Sequence, residues 1–192
     1  MADTLHAQPL QPLTALGHSA PKSVEIGPCR ITERADVALA SLASRRGREK
    51  DVEKAAKAAK VPLPAPACAA EGVPFAAFWV ATGMWMIEAA FASHEDIVTA
   101  LKPAFGDAAS ITEQTDAWVR FDLAAPDLAP LMERLSNVDF PAASVGFASR
   151  TVVEHTGCYL IKRAATEVTL YAPRSSARSL LHALEVAATS VT

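Results

Sequence analysis

The sequence contains only eight glycines, and the closest two, Gly17 and Gly27, are ten positions apart. Neither G-x-G-x-x-G nor G-x-x-x-x-G-K-[ST] can be built from this spacing, and both motifs place backbone N–H groups around a phosphate. The usual glycine-rich nucleotide loops are therefore excluded. If a nucleotide or flavin takes part in the function, we expect another chain to bind it.

Cysteine is also scarce. The three cysteines, Cys29, Cys68 and Cys158, form no C-x-x-C pair, which excludes the usual metal and redox motifs. An odd number at such wide separations favours a reducing compartment over a secreted disulfide framework. Residues 1–20 lack the apolar stretch of a signal peptide. We therefore predict a cytoplasmic protein.

Long apolar segments are also scarce. Residues 73–92 form one, and Glu88 is its only charged residue. This stretch is long enough to cross a bilayer. Thr82 and Gly83 stand at its centre, however, and aromatic and β-branched residues flank them on both sides, which favours a buried hairpin. We predict no membrane segment, and the net charge of −3 gives no global attraction to nucleic acid or an anionic membrane.

Candidate catalytic residues are few. Ser144 lies in A-A-S-V-G, one substitution from the nucleophile elbow G-x-S-x-G. That elbow needs a strand before the serine and a helix after it, and here the predicted context is reversed. His155 and Cys158 flank a predicted turn, but two ligands are too few for a zinc site. We predict no catalytic, cofactor-binding or metal-binding residue in this chain.

Residues 45–60 contain seven basic and three acidic residues. Lys50, Lys54 and Lys57 share one face of a predicted helix, at i, i+4 and i+7 spacing. A solvated helix face is the favoured interpretation. Contact with an acidic partner or an anionic ligand is the alternative. Nucleic acid is disfavoured, because the stretch has no aromatic residue to stack on a base.

The chain divides by composition into a flexible N-terminal arm, residues 1–22, and one α+β domain, residues 23–192. The domain is predicted as two halves, about residues 23–116 and 117–192. The first follows the order of a split βαβ (ferredoxin-like) unit, strand–helix–strand–strand–helix–strand. Its predicted elements are a strand or hairpin at 23–34, a strand at 37–43, a helix at 49–60, a hairpin at 75–90, a helix capped by Ser93, and a strand at 108–115.

The second half repeats this order irregularly. Its predicted elements are a strand at 118–123, a helix at 127–135, strands at 150–155, 158–163 and 168–171, and a final helix capped by Ser175 or Ser176. Leu180, Leu181, Leu184 and Ala188 fall on one face of that helix and are expected to pack on the sheet.

Short blocks of sequence follow one another in a specific order across residues 10–188. The blocks are Ile31-Thr32-Glu33-Arg34, residues 38–43, Arg45-Arg46-Gly47, Leu63-Pro64, Phe78-Trp79, residues 82–86, residues 111–118, Arg150-Thr151 and Pro173-Arg174-Ser175. Through their order and spacing the chain resembles the gamma subunit of bacterial heterotetrameric sarcosine oxidase.

The resemblance implies a fold similar to the folate-binding domain of glycine-cleavage aminomethyltransferases. It also implies a complex that oxidises sarcosine to glycine and hydrogen peroxide and passes the one-carbon unit to tetrahydrofolate or releases it as formaldehyde. FAD, FMN, NAD and tetrahydrofolate would lie in partner subunits. The expected partners are the alpha, beta and delta subunits, with alpha as the main contact, and this chain would be a non-catalytic accessory subunit.

Two alternatives stay open. A similar subunit serves N-methylglutamate dehydrogenase, and the fold also suits a stand-alone folate-binding transferase. Glu113-Gln114-Thr115 stands where aminomethyltransferase-like chains tend to carry Asp-x-Ser, and the turn at residues 82–84 is shorter than their Gly-Pro turn. Both departures count against independent folate binding.

Overall fold

The structure is a computed structural model that describes residues 11–192. Within this range the chain forms eleven β-strands and five α-helices. The strands are β1 (Ser23–Ile26), β2 (Cys29–Arg34), β3 (Val37–Ser44), β4 (Ala69–Ala70), β5 (Ala76–Ala81), β6 (Met84–Ala90), β7 (Ala109–Glu113), β8 (Trp118–Ala124), β9 (Ala148–Val153), β10 (Thr156–Ala164) and β11 (Glu167–Pro173). The helices are α1 (Glu49–Ala59), α2 (Phe91–His94), α3 (Ile97–Phe105), α4 (Ala129–Leu135) and α5 (Ala177–Ser190).

The strands form two antiparallel sheets, which confirms the predicted α+β class. Among the described residues, the first sheet has six strands in the order β1-β2-β8-β11-β10-β9. The second has five, in the order β4-β5-β6-β3-β7. In the second sheet β6 lies between β3, which precedes α1 along the chain, and β5, which follows α1 and the short β4. Residues 73–92 supply the hairpin β5–β6, as the central Thr82 and Gly83 predict.

Each sheet buries one face under helices. Successive side chains of a strand point to opposite faces, so alternate residues form separate layers. In the first sheet Phe121 and Leu170 pack in one core with Leu180 of α5. In the second sheet Leu42 and Ile87 pack in another core under α1 and α3. The helices therefore lie on the outer sides of the two sheets.

The inner faces of the two sheets pack against each other through a third apolar cluster. Leu39, Phe78 and Met86 of the second sheet contact Tyr159 and Tyr171 of the first. The ring of Phe78 lies 5.5 Å from both tyrosine rings, centroid to centroid. This cluster fills only part of the space between the sheets, and charged side chains fill the rest.

The N-terminal strands join a sheet that the sequence pattern did not indicate. β2 pairs with β8 over five residues, so residues 23–34 lie in the first sheet, together with the strands of residues 117–192. Cys29 and Ile31 on one face of β2 are buried in the core that also contains Phe121. The alternation of apolar residues in 23–34 predicts a hairpin but does not say which sheet the hairpin joins. Its apolar face could complete the core of either sheet.

Part of the predicted N-terminal arm is also described. Residues 1–10 lie outside the described range, whereas Leu16 is buried in the first core. The buried carboxylate of Glu33 accepts the backbone N–H groups of Leu16 and Lys22, at 3.0 and 3.2 Å. These contacts fasten residues 16–22 to β2.

Helix α3 does not begin where Ser93 was predicted to cap it. Ser93 lies inside the short α2, and its hydroxyl donates to the carbonyl of Ala90. Asp96 is the N-cap instead, because its carboxylate accepts both the N–H and the hydroxyl of Thr99. Aspartate and serine are about equally good N-cap residues, so the residue types alone do not distinguish Ser93 from Asp96.

The hairpin β9–β10 turns two residues earlier than predicted. Glu154 and His155 form the turn with positive φ angles of 45° and 67°, while Thr156 and Gly157 are part of β10. A two-residue turn with both φ angles positive matches the twist of the flanking strands. Glycine is the usual signal for such a turn, and here non-glycine residues adopt it. The predicted buried face of α5 (Leu180, Leu181, Leu184 and Ala188) is confirmed.

Candidate functional site

A cleft of about 950 Å³ opens between the two sheets, beside their shared apolar cluster. Residues of β2, β6, β8, β10 and β11 line it, together with the loop at residues 71–74. The side chains that face it stand on the same strand faces as Met86, Tyr159 and Tyr171. The alternation that builds the inter-sheet apolar cluster therefore also places polar side chains in the cleft.

Glu88 of β6 is the centre of a charged network, and its side chain is only 5% exposed. Arg163 of β10 donates from Nη2 to both carboxylate oxygens, at 2.6 and 2.8 Å. Tyr171 of β11 donates its hydroxyl to Oε1 at 2.6 Å, and Arg120 of β8 donates from Nη1 at 3.1 Å. One carboxylate of the second sheet is thus bonded by three strands of the first.

The network continues across the first sheet through Asp122. Arg120 donates from Nε and Nη2 to the two oxygens of Asp122, at 2.8 and 3.0 Å. Asp122 also accepts from Thr169 at 2.7 Å and from Arg34 at 3.2 Å. Arg34 in turn forms a two-point ion pair with Asp36, at 2.6 and 2.8 Å. Each guanidinium therefore shares its charge between two carboxylates.

At the rim of the cleft, Arg163 contacts Glu71 through Nη1 at 2.7 Å. The Glu71 side chain is 74% exposed, whereas that of Arg163 is 13% exposed. The same loop presents Val73 with 90% of its surface exposed. The rim thus combines one solvated ion pair with an exposed apolar side chain.

The network fixes the protonation states of its members. Burial acts to lower the pKa of Arg120, but Tyr171, Asp122 and Glu88 outweigh that effect and raise the pKa above its ordinary value. Burial and the neighbouring Glu88 charge raise the pKa of Tyr171 well above its ordinary value. Arg120 therefore stays charged and Tyr171 stays a neutral donor.

This arrangement connects the two sheets through hydrogen bonds and ion pairs. In residues 11–192 every buried side-chain nitrogen or oxygen atom has a hydrogen-bond partner. Two arginines and a tyrosine saturate Glu88, so it is not placed to accept a proton from a ligand. The cleft shows cations and carboxylates neutralising one another, which is what a structural ion-pair network requires.

The residues that the sequence singled out lie apart from the cleft. Ser144 is exposed in a loop, with neither the preceding strand nor the following helix of a nucleophile elbow. His155 is exposed in its turn, while Cys158 is buried and donates its thiol to the carbonyl of Thr156. Burial raises the pKa of Cys158 to about 11, so the thiol stays protonated. His155 and Cys158 therefore form no ligand pair.

One neighbouring pair was missed by sequence reasoning. The Ser93 hydroxyl lies 2.9 Å from Nδ1 of His94, and Ser93 lines the cleft. His94 also packs edge-on against the ring of Phe75. Among the described residues no carboxylate accepts a hydrogen bond from His94, so its imidazole lacks the orienting acceptor of a catalytic triad.

No group of three or more histidine, cysteine, aspartate or glutamate side chains is placed to hold a metal ion in residues 11–192. No helix of the described chain has the length and apolar character needed to span a membrane.

The fold is similar to two solved structures. The first is heterotetrameric sarcosine oxidase from Corynebacterium sp. U-96 in complex with pyrrole 2-carboxylate, with a TM-score of 0.75 and 18% identity over 88% of both chains. The second is glycine cleavage system aminomethyltransferase T from Bartonella henselae, with a TM-score of 0.58 and 12% identity over 79% of this chain and 44% of that chain. Neither a protein-family model nor a curated protein matches the sequence.

At these identities the likeness establishes the fold alone. The predicted similarity to the aminomethyltransferase fold is confirmed at that level. The likeness to a chain of heterotetrameric sarcosine oxidase extends over 88% of both chains.

Proposed function

We propose that this chain is a non-catalytic accessory subunit, of the gamma type, in a flavin-dependent complex that oxidises sarcosine. The observation that carries the proposal is the fold likeness to a chain of heterotetrameric sarcosine oxidase over 88% of both chains. The short sequence blocks, from Ile31-Thr32-Glu33-Arg34 to Pro173-Arg174-Ser175, support the same assignment.

In this role the chemistry belongs to the partners. FAD, FMN, NAD and tetrahydrofolate would occupy the alpha and beta subunits, and the delta subunit would complete a heterotetramer in the cytoplasm. This chain would contact mainly alpha. The complex would demethylate sarcosine to glycine, reduce oxygen to hydrogen peroxide and transfer the one-carbon unit to tetrahydrofolate or release formaldehyde.

The cleft supports a structural role for this chain. Glu88, Arg120 and Arg163 satisfy one another across the sheets, with distances of 2.6 to 3.1 Å. A catalytic carboxylate needs access to a proton on its substrate, and a saturated one lacks it. By bonding the two sheets to each other, the network stabilises the shape that the subunit would present to its partners.

The duplicated architecture is part of the proposal. The first half would be a split βαβ unit, in which a helix connects two strands that a third strand separates. The second half would be an irregular copy, because α4 connects β8 and β9 and two strands, β11 and β10, lie between them. The order β5-β6-β3-β7 in the second sheet supports this description for the first unit. In the other sheet β2 takes a position beside β8, as the fourth strand of such a unit would.

Purification of the tagged chain from its native host tests the assignment. We expect larger chains to co-purify in a fixed ratio, with a flavin absorption spectrum and sarcosine-dependent release of hydrogen peroxide. Recovery of the chain as a lone monomer without a flavoprotein would contradict the proposal. Parallel turnover assays with sarcosine and N-methylglutamate separate the oxidase from the related N-methylglutamate dehydrogenase.

A stand-alone folate-binding transferase is the second candidate, and the cleft volume favours it. About 950 Å³ is enough for a ligand of that size. The side chains do not fit as well, because Glu88, the buried carboxylate of the cleft, is already bonded by three donors and cannot take the N–H groups of a pteridine ring.

Calorimetry of the isolated chain with tetrahydrofolate separates the two candidates. An accessory subunit gives no heat of binding at submillimolar concentrations. Binding in that range by the isolated chain would favour the transferase and contradict the accessory role.

A further inference from the structure

Helix α1 carries a lysine stripe, Lys50, Lys54 and Lys57, which the proposed function leaves unexplained. With about 100° between successive residues, these three positions fall within an arc of about 60°. Val52 and Ala56, the buried residues of α1, project from the opposite side. The stripe therefore points directly away from the core and into solvent.

The charges of the stripe are not neutralised within the described chain. No ion pair within 4.0 Å joins any of the three lysines to a carboxylate in residues 11–192. The carboxylates at the start of the helix are engaged elsewhere: Glu49 accepts the N–H of Gly47, and Asp51 pairs with Arg48 at 2.5 Å. Lys50 and Lys54 are like charges at i, i+4 spacing, which destabilises a helix, and Glu53, four residues before Lys57, forms no ion pair within 4.0 Å in the described chain.

The stripe also stands out against the rest of the chain. Seven cations and three carboxylates give residues 45–60 a net charge of +4, whereas the whole chain has −3, so the other residues together carry −7. Cationic side chains are thus concentrated at one outer face of an acidic protein. Such a separation orients the chain toward an anionic surface.

The chemistry of the stripe restricts what that surface can be. Residues 45–60 contain no aromatic side chain, which removes the stacking by which single-stranded nucleic acid is held. The apolar face of α1 is buried against the protein, so the helix cannot insert into a lipid interface. From Lys50 to Lys57 the stripe is about 10 Å long, which matches two turns of a facing helix.

We propose that the lysine stripe docks on a row of aspartate and glutamate side chains on the flavin-bearing partner subunit. This inference rests on the proposed function and deepens it by naming the contact surface. The acidic row supplies the carboxylates that the stripe lacks within its own chain. Pairing of this kind steers association and fixes the orientation of the two subunits.

A triple substitution tests the contact in the complex. Lys50→Gln/Lys54→Gln/Lys57→Gln, expressed with a tag in the native host, should recover about tenfold less flavoprotein per chain at about 0.15 M salt, as expected for the loss of several rim ion pairs. The matched control is Lys22→Gln/Arg30→Gln/Arg134→Gln, which removes three exposed cations elsewhere. Its recovery should stay within about twofold of the wild type.

Equal recovery by the stripe variant and the wild type would overturn the docking surface while leaving the proposed function intact. If the wild-type chain recovers no flavoprotein, the proposed function fails and the inference with it. A duplex DNA oligonucleotide and phosphatidylserine vesicles serve as competing probes. The stripe would be assigned to one of these polyanions instead if two results coincide. The wild type and the control variant bind the probe while the stripe variant does not, and the stripe variant still recovers as much flavoprotein as the wild type.

Discussion

Charged residues occur in two contrasting arrangements in this protein. In the cleft, arginines and carboxylates from both sheets pair with one another, and Glu88 alone is bonded by Arg120, Arg163 and Tyr171. On α1, the lysine stripe has no carboxylate partner in the described chain and faces solvent. The difference shows how two kinds of charge can be told apart. A charge that is buried and paired with an opposite charge stabilises the fold, whereas an exposed charge without such a partner is available to another protein.

The two arrangements follow from different periodicities. Strand alternation sends every second side chain into the space between the sheets, where an unpaired charge would be costly. Helical periodicity sends Lys50, Lys54 and Lys57 to the side opposite the buried Val52 and Ala56, where water solvates them. Substitutions in the two regions should therefore have opposite consequences for stability and for assembly.

The largest expected effect is that of Glu88→Ala. It leaves the largely buried Arg120 and Arg163 without their shared carboxylate, and loss of one partner of a buried ion pair costs about 3–5 kcal/mol of unfolding free energy. Urea unfolding followed by circular dichroism measures it. The control, Glu71→Ala, removes an exposed carboxylate from the same Arg163 and should cost less than about 0.5 kcal/mol. Equal effects of the two substitutions would contradict a buried network.

Tyr171→Phe should have the next largest effect. It removes the hydroxyl that donates to Glu88 at 2.6 Å, and a hydrogen bond to a charged group contributes about 1.5–3 kcal/mol. Tyr159→Phe is the matched control, because Tyr159 pairs with Tyr171 across the sheet and its hydroxyl forms no hydrogen bond within the described chain. Urea midpoints that shift equally in both variants would show that the hydroxyl of Tyr171 has no special role.

Asp36→Asn tests the exposed end of the network through pH. The hydrogen bond from Arg34 lowers the pKa of Asp36 below its ordinary value of 3.8, against the opposing effect of partial burial. A carboxyl group with a lowered folded pKa contributes stability above the unfolded pKa, and this contribution is lost as the pH falls through the folded pKa. The wild type should therefore exceed Asp36→Asn in stability at pH 5–7, by less than about 1 kcal/mol because the pair is exposed.

Unfolding curves between pH 7 and pH 2 measure that difference, which should be constant above about pH 4 and shrink below it. A difference that grows on acidification would contradict the role given to Arg34.

The smallest expected effect is that of the stripe variant, Lys50→Gln/Lys54→Gln/Lys57→Gln. Relief of like-charge repulsion and loss of the favourable position of Lys57 near the helix C-terminus nearly cancel, so stability should change by no more than about 0.5 kcal/mol. Thermal unfolding compares it with the wild type. A loss above about 1 kcal/mol would mean that the fold needs these lysines, and the contrast with Glu88 would disappear.

The sequence predicted most elements of this fold because their periodicity is local. The hairpin β5–β6 follows from apolar residues on both sides of Thr82 and Gly83, and the buried face of α5 follows from the spacing of Leu180, Leu181 and Leu184. Such patterns need no knowledge of the partner surface.

The cleft network could not be predicted in the same way. Glu88 meets Arg120, Arg163 and Tyr171 from positions 32, 75 and 83 residues away, so their contact depends on strand order and register. In the sequence, Glu88 stands out only as the single charge of an apolar stretch, residues 73–92. A buried carboxylate on a strand requires cationic partners, and that requirement was the available signal.

Native mass spectrometry of the chain purified from its host tests the central claim, that this protein is an assembly subunit, most directly. The account predicts a species several times heavier than the 20.2 kDa chain, which releases flavin-bearing subunits on activation. A spectrum dominated by the 20.2 kDa monomer, with no heavier flavin-containing species, would contradict it.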